Sequence, residues 1–183
     1  MAAFAAAVKI DSFAYMPVQD FGNAFSTFIA QNFGAGQMKR IRDGIRVAVV
    51  SATIFCVFIS LLVFAFARPL MLIFVPVHET EIISIGVQYL RIEGAFYCGI
   101  GCLFLLYGFY RGIRKPGMSV VLTVISLGTR VALAYALSAI PAIGVVGIWW
   151  SIPIGWFLAD IVGLWYYRRL FSRVTRSGIL KSV

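Results

Sequence analysis

The chain reads as a succession of long apolar runs separated by short polar and mostly basic stretches. The clearest run, 47–67, carries no charge and is bounded by Arg46 and Arg68. A helix needs ~20 mostly apolar residues to cross the hydrocarbon of a bilayer. Four other runs reach that length: 3–33, 81–111, 116–139 and 143–167. Gly34-Ala35-Gly36 stops the first, Pro116 sits near the start of the fourth, and Pro141 separates the fourth from the fifth. No linker, low-complexity tract or internal repeat divides the chain. The pattern predicts an all-α integral membrane protein of about five transmembrane helices, with one domain over 1–172 and a basic tail over 173–183.

Composition agrees with the pattern. Apolar residues make up 61% of the chain and charged residues 13%, against ~45–50% and ~25% in soluble domains. Lipid tails, as solvent, favour that excess. The net charge of +9 would suit nucleic acid, but its distribution points to a membrane. Lys39, Arg40, Arg42 and Arg46 follow the first run, and Arg111, Arg114 and Lys115 follow the third. Arg168, Arg169, Arg173, Arg176 and Lys181 follow the fifth, so these stretches hold 12 of the 16 Lys and Arg residues. With five spans all three fall on one side, which the positive-inside rule makes cytoplasmic. The carboxyl terminus is then cytoplasmic and the amino terminus extracytoplasmic, in a multi-pass protein of the cell membrane. Trp165, Tyr166 and Tyr167 suit an inner aromatic belt, and Trp149 and Trp150 suit anchors nearer the outer end.

Signals for catalysis are lacking. Cys56, Cys98 and Cys102 lie in apolar runs and read as small packing residues. The single histidine, His78, falls in an outer loop, and no phosphate-cradling glycine loop occurs. Neither enzymatic activity nor a bound cofactor or metal is expected, and the partners are the bilayer and small molecules rather than nucleic acid.

Charges within the spans carry the candidate chemistry, because each costs ~2.5–3.5 kcal/mol to insert and marks a pathway more often than not. They are Lys9, Asp11, Asp20, Arg91, Glu93, Arg130 and Asp160. Asp20 lies mid-helix near Pro17, which predicts a kink beside a carboxylate, either an ion site or an acceptor for a neighbouring helix. Glu93 and Arg91 are two apart and face different ways on a helix. Glu93 is expected inward, as a titratable site or as a structural partner of Lys9 or Arg130. Arg130 reads as the counter-charge of Asp20 or Glu93, and Asp160 as the partner of a basic loop residue. Lys9 and Asp11 lie near the outer end, within reach of water. Pro153 predicts a second kink, and Gly108 with Gly112 predicts close helix packing.

The ordered set Val8-Lys9-Ile10-Asp11, Met16-Pro17, Gly22, then Phe28 through Gly36 and Arg40-Ile41 resembles the second helix of one half of a multidrug and toxic compound extrusion (MATE) transporter. Tyr89-Leu90-Arg91-Ile92, Phe96-Tyr97 and Gly108 through Gly112 resemble the fourth helix of that half, and Gly147-Ile148-Trp149 with Pro153 the sixth. The resemblance covers essentially the whole chain and implies most of one six-helix lobe, the carboxyl-terminal one, of a two-lobed transporter. It implies export of drugs or other toxic compounds, cationic or amphiphilic, by antiport with protons or sodium ions. Asp20, Glu93, Arg130 and Lys9 become the expected substrate or coupling-ion pathway, with Pro17 and Pro153 as kinks. Some branches of the family place an acid near the position of Ile100, which is apolar here. A lipid-linked oligosaccharide flippase of related architecture and an inactive truncated remnant are the alternatives. The chain is expected to be a fragment, with its missing amino-terminal lobe in the same full-length chain or a separate polypeptide. An immunoblot of native cells with an antibody to the tail after Arg168 tests this: a band well above 20.2 kDa is expected.

Overall fold

The computed structural model describes residues 2–139 and 144–176, with side chains over 4–139 and 146–170, and every structural statement concerns these. They form six α-helices: α1 (Ala2–Gly34), α2 (Met38–Leu72), α3 (Thr80–Gly94), α4 (Tyr97–Gly112), α5 (Pro116–Ser138) and α6 (Gly144–Arg176). The separator around Pro141 and the tail beyond 176 fall outside the described residues. The third expected helix, 81–111, is two: α3 and α4 meet at a 52° bend. The other expected helices are present and two are longer than anticipated. α2 continues through Arg46 and Arg68, with a kink at Phe66 (φ −103°, ψ 15°) three residues before Pro69. A proline ring clashes with the preceding turn of its own helix, and the kink relieves that clash. α6 continues to Arg176, into the stretch expected as tail.

Helices fill a bilayer because they satisfy every backbone polar group internally. α2, α5 and α6 are each long and apolar enough to cross, and the α3–α4 pair makes a fourth such span when counted as one. α1, 33 residues long, is more polar, and it packs against α2, α3 and α4. Only 22% of the apolar window of α2 and 11% of that of α5 is buried in the protein. Val47, Ile54 and Leu61 of α2 and Val120, Val124 and Leu127 of α5 are among the exposed side chains, as a lipid solvent requires.

Turn chemistry fits the sequence. Gly36 takes the left-handed conformation (φ 68°) between α1 and α2, and the Gln37 N–H donates to the Asn32 carbonyl at 2.8 Å. Pro116 opens α5, where its missing N–H is no loss. At one end of the bundle Met38, Ile41, Lys115 and Leu170, from or beside the basic stretches, line one cavity, and there Lys115 donates to the Tyr166 hydroxyl at 3.4 Å.

α1 and α4 run side by side and touch at glycines. A Cβ on Gly108 would collide with the Gly22 carbonyl oxygen, and one on Gly22 would come within 2.9 Å of the Phe104 oxygen. One turn on, a Cβ on Gly112 would press on Ile29 and the Ser26 carbonyl. Small residues let membrane helices approach this closely, so the Gly108–Gly112 pair does what its spacing predicts. Gly108→Val should force the helices apart and destabilise the protein by about 1–3 kcal/mol. A lower thermal midpoint in detergent is the expected reading, with Gly128→Ala, where a Cβ meets open space, unchanged.

Candidate functional site

The break between α3 and α4 organises the site. α3 ends as the Ala95 N–H donates to the Arg91 carbonyl (3.3 Å) and the Phe96 N–H to the Glu93 carbonyl (3.0 Å). Phe96 (φ −115°, ψ 16°) is non-helical, and α4 starts at Tyr97. Tyr89, Glu93 and Tyr97, spaced four apart, are all buried.

α1 supplies the facing group. Asp11 is 6% exposed, and the Tyr97 hydroxyl donates to its Oδ1 at 2.7 Å. Glu93 is fully buried, 0% exposed, and neither of its carboxyl oxygens has a hydrogen-bond partner. The charges of Asp11, Glu93 and Arg130 act on one another, yet among the described residues Arg130 forms no ion pair within 4 Å with either carboxyl. An aromatic wall borders the cluster: Phe4 meets Tyr89 edge-on at 5.5 Å and Tyr89 meets Trp149 at 6.0 Å. Trp149 is therefore buried site wall rather than an interface anchor, while Trp150 is exposed and packs on Phe96.

Two carboxyls against one guanidinium leave one unbalanced negative charge. Isolated charge is costly in a buried, low-dielectric place. A proton or a monovalent cation on the Glu93 side would balance it, and a cation would also give the orphan oxygens a partner. Among the described residues no three His, Cys, Asp or Glu side chains gather as a site for a structural metal.

The sequence-derived candidates divide. Glu93 belongs to this cluster, whereas Arg130, half-buried on α5 with its side chain beside Gly155 of α6, acts on it through charge alone. Lys9 and Asp20 are exposed on α1, away from its buried stripe. Pro17 and Pro153 lie inside α1 and α6, and each helix continues through its proline. Arg91 turns outward, its guanidinium 5.2 Å above the Phe64 ring. Asp11 is buried rather than reaching water, and it is the residue that reading from the sequence left out of the site. A signal was available: the buried positions of α1 include Ala7, Asp11, Val18, Gly22, Phe25, Ile29 and Asn32, a stripe at helical period. Asp160 lies apart on α6, 7% exposed, with Oδ1 unpartnered. Among the described residues it forms no ion pair within 4 Å, where a basic loop residue was expected as its partner.

Comparison with known proteins places this geometry. A family model described as MatE matches residues 1–136. The chain is 24% identical over 180 residues to the probable multidrug resistance protein YoeA of Bacillus subtilis, covering 94% of this chain and 37% of that relative. It thus spans little more than a third of that relative's length. Two solved conformations of a multidrug resistance MATE family transporter of the MOP superfamily are similar in fold. The outward-facing one superposes with a TM-score of 0.85 at 21% identity, over 100% of this chain and 39% of that one. The inward-facing one gives 0.85 at 20% identity, over 99% and 41%.

The buried hydrogen bond is testable without any transport assay. Tyr97→Phe should lower unfolding stability in detergent by about 1 kcal/mol, the usual worth of such a bond between membrane helices. Lys9→Met, at an exposed position, should stay within about 0.5 kcal/mol of the parent.

Proposed function

The chain belongs to the MatE family, and from that premise we propose that it supplies one lobe of a secondary active exporter. The exporter carries drugs or other toxic organic compounds outward in exchange for protons or sodium ions. The observation that carries this reading is the buried Glu93 carboxyl, whose two unpartnered oxygens sit beside Asp11 in a cluster short of one positive charge. A coupling ion needs a place in the membrane that is destabilised when empty and satisfied when filled. Asp11, held by Tyr97, and Arg130 frame that place, and Glu93 receives the ion.

A second lobe, in the same full-length chain or a separate polypeptide, completes the central cavity. Alternating access then arises from one lobe rocking against the other. The equal superposition of this fold on outward-facing and inward-facing chains supports a lobe that moves as a body. Charges within the spans are of both signs, which suits cationic or amphiphilic cargo better than a pyrophosphate-linked sugar. The basic end of the bundle faces the cytoplasm of the cell membrane, by the positive-inside rule. This puts the carboxyl terminus inside and the amino terminus of this chain outside.

In the complete two-lobed transporter, Glu93→Gln is expected to cut efflux of a cationic dye by an order of magnitude while membrane abundance is unchanged. Unchanged efflux would remove Glu93 from the mechanism.

A further inference from the structure

α2 packs against α1, α3 and α4, and α6 packs against α3, α4 and α5, which leaves a groove between α2 and α6 floored by α4. Three cavities lie in line along it. The first, about 210 Å³, opens at the basic end beside Lys115 and Leu170. The second, also about 210 Å³, shares Phe109 with the first and is rimmed by Val49. The third, about 50 Å³, shares Val49 and Leu105 with the second, lies between α2 and α4, and ends at Cys98. From Ile113 to Cys98 the floor rises ~22 Å at ~1.5 Å per residue. One leaflet of hydrocarbon is ~15 Å deep, so the groove runs from a bilayer surface to beyond its midplane.

The two ends differ in chemistry. The length of the groove is lined almost wholly by apolar side chains. Its mouth carries the Lys115 ammonium, held 5.6 Å over the Tyr166 ring and hydrogen-bonded to that hydroxyl. Among the described residues no carboxylate lies within 4 Å of Lys115. The stretches around the mouth are rich in Lys and Arg and hold a single acid, Asp43.

We infer that this groove binds one anionic phospholipid, with an acyl chain along α4 and the phosphate on Lys115. A long apolar slot with a cation at one end complements such a molecule in length, polarity and charge, and basic pockets between helices on one membrane face recognise anionic headgroups. The inference stands independently of the coupling-ion reading.

Native mass spectrometry of the full chain in detergent tests it, with phosphatidylglycerol and phosphatidylcholine of matched acyl chains as probes. One phosphatidylglycerol should be retained several-fold more tightly than phosphatidylcholine, and inorganic phosphate should not displace it. Lys115→Gln should weaken phosphatidylglycerol about fivefold, the effect of one cation near an anionic surface, and leave phosphatidylcholine unchanged. Val49→Trp, filling the groove from its exposed rim, should weaken both lipids alike. Equal retention of the two lipids by the parent, or undiminished phosphatidylglycerol binding by Lys115→Gln, would overturn the proposal. Lys115 is exposed, so its substitution preserves the fold and decides the headgroup question even where the larger substitution does not.

Discussion

The close crossing of α1 and α4 sets the geometry on which the rest of the bundle depends. Gly22 and Gly108 bring two backbones together where any Cβ would collide. Asp11 precedes Gly22 by the same eleven residues that separate Tyr97 from Gly108. Eleven residues make about three helical turns, so two helices running side by side in register must bring Asp11 opposite Tyr97 once the glycines touch. The 2.7 Å hydrogen bond is the consequence of a packing contact some ~16 Å away along the axis. Beyond the glycines the same register continues to Gly112 against the Ser26 carbonyl, and Arg111 reaches back to Asn23 beside it.

The second constraint is the bend at Ala95 and Phe96. An unbroken helix over 81–111 would have carried Glu93 and Tyr97 along one straight line. The 52° bend instead closes α3 at Glu93 and starts α4 at Tyr97. The first N–H groups of a helix lack partners within it and carry partial positive charge. Inside a membrane such a break is tolerated where protein surrounds it. Here α1, α2 and α6 pack on both α3 and α4 and bury Glu93, Gly94 and Tyr97, while Ala95 and Phe96 between them stay exposed. A buried carboxyl at that junction has no hydrogen-bonding partner of its own, which makes Glu93 sensitive to any proton or cation that arrives.

Legibility followed from how each feature is encoded. The spans were readable because length and apolarity are properties of a run, and the clustering of basic residues needs only a helix count. The inward face of Glu93 followed from its spacing to Arg91. Asp11 did not follow. In α1 apolar and small residues occur on every face, so the buried stripe through Ala7, Val18 and Phe25 was hidden among equals, and Lys9 two residues away suggested water. Asp20 was over-read for the same reason: Pro17 beside it is a strong local signal, but side-chain direction is set by which face meets α4. The break after Gly94 carried no proline to announce it. It is a tertiary feature, held by the packing of the two short helices on their neighbours rather than by a local breaker.

These observations also bear on how a lobe can move and keep its site. The closest register contacts between α1 and α4 set glycine against backbone, Gly108 on the Gly22 carbonyl and Gly112 on the Ser26 carbonyl. Interfaces of that kind are rigid. If the lobe rocks as proposed, these contacts keep Asp11 and Tyr97 in fixed relation and change only their access to water or to a partner surface. Ion occupancy would then act on the orientation of the lobe through which side of the cluster is open. It would not act by rebuilding the cluster itself.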